Sequence, residues 1–400
     1  MSDKIIAAIR AECIKDLCTL NKEHLRMATR FKQSGSFVRP LIELDCSFSH
    51  NPVTAKEDMS RYISTITRAC ATLKSISIGC YCEFYQSPRS MFSSRGAARG
   101  DDIMNPFKYN YVNDLMEAIG SCTNLRSVDA CCCCVLQDDL WIDTCFQDTL
   151  QKCKKLTTLK LATKCNCDDT DRPSILRFLT EPIKTLTTIC FYGIRIQDGE
   201  YTANAMKKFI SSCPALHTLK LENCELNVSA ATSIIESCAN LSILSFRGNN
   251  IYMFSSFAET LLKRCDNLEI LDLSGSYLNG GEMVSFVEIL PKLPKLKSLL
   301  LSHCSMNATP LSTVLSQCVS LTDLDISGNW FFNDGAEELV LVLPKCRSLQ
   351  TVFMNGCYIS EPWKNALAKA LPSFKQLEEL RFYLHWTPAF RPDLPARMRE

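Results

Sequence analysis

The stretch CDNLEILDLSGSYL, residues 265–278, decides how the chain is read. Leu271 and Leu273 are two residues apart, so they share one face of a short strand, and Leu268 precedes them by three. A Ser-Gly-Ser turn follows, and beyond it comes a segment with helical spacing. The same phrase returns as CPALHTLKLENCEL from Cys213, CANLSILSFRGNNI from Cys238, CVSLTDLDISGNWF from Cys318 and CRSLQTVFMNGCYI from Cys346. Self-similarity at a fixed period marks a repeat architecture.

Taking the first leucine of the phrase as anchor gives Leu125, Leu156, Leu186, Leu216, Leu241, Leu268, Leu296, Leu321, Leu349 and Leu377. Weaker copies begin at Leu41 and Leu73, for about twelve units with a period near 28. Within a unit, apolar residues at offsets 0, 3 and 5 predict a strand with one buried face. Segments 254–265, 334–346 and 362–374 carry helical periodicity, with Ser255, Asp334 and Pro362 near their starts as caps or first-turn residues. A single unit cannot bury its apolar face, so neighbouring units must stack.

Composition sets limits on function. The 400 residues are 46% hydrophobic and 22% charged, enough for a large core. Lys plus Arg number 44 against 43 Asp plus Glu, so no bulk field draws nucleic acid or an anionic membrane. The N-terminal MSDKIIAAIRAECIKDLCTL interrupts its apolar residues with charge, and no run reaches the roughly 18 apolar residues of a membrane span. A cytoplasmic protein is expected. The 24 cysteines sit in a long, leucine-rich chain rather than a short disulfide scaffold, which predicts reduced thiols.

The pattern LxxLxLxxN/CxL with a following helix resembles the leucine-rich repeat, in its ribonuclease-inhibitor-like class. The resemblance implies an α/β solenoid, a horseshoe with a parallel β-sheet on the concave face and helices on the convex face. It predicts a helical cap over 1–37, the solenoid over 38–385 with a loop insertion at 84–107, and a tail over 386–400.

This frame explains half of the cysteines. Eight fall three residues before an anchor, at Cys70, Cys122, Cys153, Cys213, Cys238, Cys265, Cys318 and Cys346, where a helix turns toward its strand. Others fill offset 8, the slot whose side chain satisfies the loop backbone: Cys133, Cys224, Cys304 and Cys357, alternating with Asn249 and Asn329. Cys132, Cys134, Cys165 and Cys167 follow strands of the N-terminal half and are the candidates for a zinc site. Their C-x-C spacings are not the usual ligand separation, so no metal and no cofactor is expected.

The sequence lacks the phosphate-loop, nucleophile-elbow and metalloprotease motifs, and its five histidines are scattered. His217 and His303 read as ordinary strand and loop residues. The insertion FYQSPRSMFSSRGAARGDDIMNPF, 84–107, carries a narrower resemblance, to Ran GTPase-activating proteins. Those are repeats of the same class with a functional arginine in a loop after an early strand, which implies Arg95 as the residue acting on a small GTPase. The chain departs from that family by offering Cys133 and Lys164 in the asparagine slots and a tail that is not acidic.

The leading expectation is a non-catalytic scaffold for a protein partner, within a cytoskeletal or signalling assembly, bound on the concave face. Offsets 2, 4 and 6 point there. They nominate Ile243, Ile270, Leu300 and Phe353 as exposed apolar anchors, edged by Asp272, Asp323 and Asp325, with Arg247 and Tyr383 completing the contact surface.

Overall fold

A computed structural model of the chain describes residues 42–48, 52–80, 111–131, 142–162, 179, 181–194, 196, 200–249, 251, 255–278, 282–306, 308–331, 335–359, 361–373 and 378–381. The expected cap, the 84–107 insertion and the 386–400 tail lie outside them. The chain divides into two compact units, Met1–Leu186 and Thr187–Glu400.

The first unit alternates strands and helices: β1 (Glu43–Phe48), α1 (Pro52–Ala69), β2 (Ser75–Cys80), α2 (Tyr111–Gly120), β3 (Ser127–Cys131), α3 (Ile142–Lys152) and β4 (Thr158–Ala162). Its strands pair parallel in sequence order. Each crossover is a helix, the connection that parallel neighbours require.

The second unit continues the alternation with β5 (Thr188–Tyr192), α4 (Glu200–Ser211), β6 (Thr218–Glu222), α5 (Val228–Glu236), β7 (Ile243–Ser245), α6 (Ser255–Arg264), β8 (Ile270–Asp272), α7 (Glu282–Val287), β9 (Ser298–Leu300), α8 (Ala308–Val314) and β10 (Asp323–Asp325). It ends with β11 (Trp330–Phe331), α9 (Gly335–Val342), β12 (Thr351–Phe353), β13 (Tyr358–Ile359), α10 (Glu361–Ala370) and β14 (Glu379–Arg381). The repeat strands pair parallel and in sequence order, while β11 and β13 form a separate two-stranded sheet.

Register explains the leucines. Leu219, Leu244, Leu271, Leu299, Leu324 and Val352 are mutual partners across β6 to β10 and β12, and each is 0% exposed. Burying one such side chain is worth about 1.5–3 kcal/mol, and the row repeats it at every strand. Helices behave as their sequences require. After α7 and α9 the segments Leu290–Lys292 and Leu343–Lys345 tighten into 3-10 turns at Pro291 and Pro344, where proline removes a donor from the α-helical ladder.

The cysteines before the anchors close the helix ends. The Cys122, Cys213, Cys238, Cys318 and Cys346 thiols each donate to the carbonyl four residues back, at 3.3–3.6 Å. Last-turn carbonyls have no partner within the helix, so a small side chain that is apolar on one side and a weak donor on the other suits the position. Desolvation pushes the Cys238, Cys265 and Cys318 thiols up to about 12, keeping them protonated and unreactive.

Candidate interaction face

Residues flanking the inward leucines point to the opposite side of the sheet and line up in rows. One row runs Thr218, Ile243, Ile270, Ser298, Asp323, Thr351, and the next runs Lys220, Ser245, Asp272, Leu300, Asp325, Phe353. The structure therefore sets Ile243, Ile270, Asp272, Leu300, Asp323, Asp325 and Phe353 on one face. Arg247 is exposed just beyond β7.

The expected exposure of this face is corrected. Ile270, Leu300 and Phe353 are only 6%, 5% and 4% exposed, and Ile243 is half-buried. Asp272, Asp323 and Asp325 are buried as well, so they are not a solvated rim around an apolar stripe. In-register parallel strands place equivalent side chains about 4.8 Å apart, so neighbours in a row cover one another. A strand considered alone does not reveal that shielding.

Two of the buried acids, Asp272 and Asp323, are only partly satisfied. Asp272 Oδ1 accepts from the Ser274 N–H at 2.9 Å, and Asp325 Oδ1 from the Ser327 N–H at 3.0 Å. Thr322 Oγ1 donates to Asp323 Oδ2 at 2.7 Å, and Ser245 Oγ to Glu222 Oε1 at 3.0 Å. Asp272 Oδ2, Asp323 Oδ1 and Ser298 Oγ are buried with no hydrogen-bond partner. Desolvation raises the Asp272 carboxyl above its ordinary range; the Ser274 hydrogen bonds and the Arg247 charge oppose that rise, and Glu222 adds to it.

Below the face, the offset-8 side chains tie successive units together. Asn329 Oδ1 accepts from the Cys304 and Met306 N–H groups of the preceding unit at 3.0 and 3.2 Å, and its Nδ2 donates to the Leu301 and Ile326 carbonyls at 2.8 Å. Asn249 repeats the arrangement on Cys224, Leu226, Leu221 and Phe246. Cys224, Cys304 and Cys357 send their thiols to Phe191, Leu273 and Ile326, carbonyls at the same offset in the preceding unit. Cysteine thus replaces the donating half of asparagine. Ser276, in the same slot, is too short, and its hydroxyl is buried without a partner.

The loops of the two slot types interlock. Asn223 and His303, one residue before a cysteine slot, adopt φ of 51° and 55°, and the next unit presents glycine at the equivalent position. A Cβ on Gly248 would collide with Asn223 Oδ1, and one on Gly328 with the His303 ring; both glycines also have φ of 68°. His303 is therefore a loop spacer, as its sequence position suggests.

A strand, a loop closed by asparagine or cysteine, and a helix recur with the leucines inward. The fold is that of a leucine-rich repeat. No family model matches the chain, and no curated protein matches it. Among solved structures, the chain is similar to the leucine-rich repeat-containing protein LegL7 from Legionella pneumophila, at 15% identity over 83% of this chain and 88% of that one, with a TM-score of 0.44.

The remaining sequence candidates, Arg95, Tyr383, Cys132, Cys134, Cys165 and Cys167, lie outside the described residues. Glu222, which shares the face, was not singled out from sequence. Its offset, 6, is that of nominated residues such as Arg247, which is the signal that finds it.

Proposed function

We propose that the chain is a non-catalytic scaffold that takes a protein partner on the outward face of its repeat strands, in the cytoplasm. The supporting observation is the buried outward face itself. It combines apolar Ile270, Leu300 and Phe353 with carboxylates that are incompletely hydrogen-bonded, although polar groups are ordinarily satisfied when buried. Such groups detract from folding and become favourable when a partner supplies the missing donors. The thiols that act as hydrogen-bond donors to carbonyls support a reducing compartment, since a disulfide has no S–H to give.

Because Ile270 and Phe353 are buried, charge placed there would damage the fold along with any contact. Arg247→Trp puts a bulky neutral side chain at an exposed position on the edge of the face and leaves the inward rows intact. A tagged chain carrying it should lose the proteins that co-purify with wild type while keeping the wild-type circular dichroism spectrum. Ile243→Lys, at a half-buried position of the same face, should lose them too. Retention of the same proteins by both variants would exclude the face.

A further inference from the structure

From β8 to β12 the outward face carries three acids and no basic residue: Ile270, Asp272 and Ser274, then Ser298, Leu300 and Ser302, then Asp323, Asp325 and Ser327, then Thr351, Phe353 and Asn355. Adjacent strands lie about 4.8 Å apart and alternate residues about 7 Å apart along a strand. Asp272 and Asp325 therefore stand roughly 10 Å apart on either side of Leu300, with Asp323 one step along β10 from Asp325. Ser298 and Leu300 lie on the strand between them.

Three polar atoms of this group, Asp272 Oδ2, Asp323 Oδ1 and Ser298 Oγ, have no hydrogen-bond partner, and their residues are 1%, 4% and 1% exposed. Ser298 is not an acid, so its orphan hydroxyl is independent of the acidic cluster. All three belong to outward positions, since the in-register Leu271, Leu299 and Leu324 between them occupy the inward row. The missing complement is a set of donors carrying positive charge. Arg247 does not supply it: its charge acts on Asp272, but Oδ2 receives no hydrogen bond. Among the described residues no three His, Cys, Asp or Glu groups converge as a metal ion would need. The acids are spread over the width of a side chain rather than around one point.

We infer that this patch receives a basic side chain from an extended segment of the protein partner. The head group meets Asp272, Asp323 and Ser298 once their side chains turn outward, because their orphan atoms are sealed from solvent in the unbound chain, and the stem and neighbouring apolar residues lie against Ile270, Leu300 and Phe353. Arginine fits better than lysine, because its planar fork carries five donors and meets a carboxylate with two at once. The inference rests on the outward face being the partner surface and adds the chemistry of what binds there.

The test selects displayed random dodecapeptides against the full chain, then measures the best synthetic peptide by fluorescence anisotropy. Arginine and lysine beside leucine, isoleucine or phenylalanine should dominate the selection. The double variant Asp272→Asn, Asp323→Asn should bind that peptide at least tenfold more weakly, without a lower urea midpoint than wild type. Selection of neutral or acidic peptides, no selection at all, or equal affinity for the variant would overturn the inference. A peptide of residues 21–40 of this chain, which contains Lys22, Arg26, Arg30, Lys32 and Arg39, is the rival occupant. If it outcompetes every selected sequence, the patch belongs to the chain itself and not to a partner. Co-purification separates the two readings. A partner released by Arg247→Trp but kept by the double Asn variant leaves the face standing and removes the basic-segment chemistry; a partner kept by both removes both.

Discussion

Replacing Asn329 by alanine tests the loop ladder most directly. The side chain is 0% exposed and holds two N–H groups of the preceding unit, those of Cys304 and Met306, besides donating to the Leu301 and Ile326 carbonyls. Alanine leaves both N–H groups buried without an acceptor, at about 1–3 kcal/mol each, and takes a donor from two carbonyls. A loss of about 3–6 kcal/mol is expected, large against a net stability of about 5–15 kcal/mol. Asn329→Cys should fall between alanine and wild type, because cysteine in this slot elsewhere reaches the same kind of carbonyl, as Cys304 does at 3.2 Å. Urea unfolding followed by circular dichroism gives the midpoints. The slope should be compared as well, because repeat arrays can lose cooperativity when a junction weakens. A loss below about 1 kcal/mol for alanine, or a cysteine variant no better than alanine, would refute the view that this side chain joins the units.

Two further outcomes follow from the strand rows. Leu271→Ala should cost about 2–5 kcal/mol in the same assay, through lost burial and an unfilled space in a row that is fully buried. Asp272→Asn should act in the opposite direction at pH 7. Burial raises the carboxyl above its unfolded value of about 3.9, so the folded chain holds that proton more tightly. The stabilising contribution of this group is fully present below the unfolded pKa and is lost as pH rises through the folded one. The Asn variant should therefore be more stable than wild type at pH 7, with an advantage that shrinks toward pH 4. An advantage independent of pH would refute the role given to the carboxylate.

The inward rows were legible because leucine at offsets 0, 3 and 5 is a one-dimensional signal: Leu268, Leu271 and Leu273 follow from spacing alone. The helix-end cysteines were equally legible, since they recur at one offset. The state of the outward face was not, because the burial of Ile270 depends on Ile243 and Ser298, partners 27 and 28 residues away in sequence. A side chain that alternation assigns to solvent can still be enclosed by its neighbours in register. The interlocking of His303 with Gly328 escaped notice for the same reason. Yet Gly248, Gly275 and Gly328 at one offset already signal a left-handed loop position there, which extends to Asn223 and His303.

The alternation of slots also gives the array a grammar. Cys224 with Asn249 and Cys304 with Asn329 form two matched couples 80 residues apart, and the unit anchored on Leu268 stands between them with an unjoined Ser276. Excising one member of a couple sets mismatched loops against each other. Excising residues 268–295 brings the Cys304 thiol opposite Phe246, the equivalent carbonyl of the unit before, and leaves both couples whole. That intervening unit holds Ile270 and Asp272, so the one whose own slot side chain joins nothing is also one that shapes the outward face.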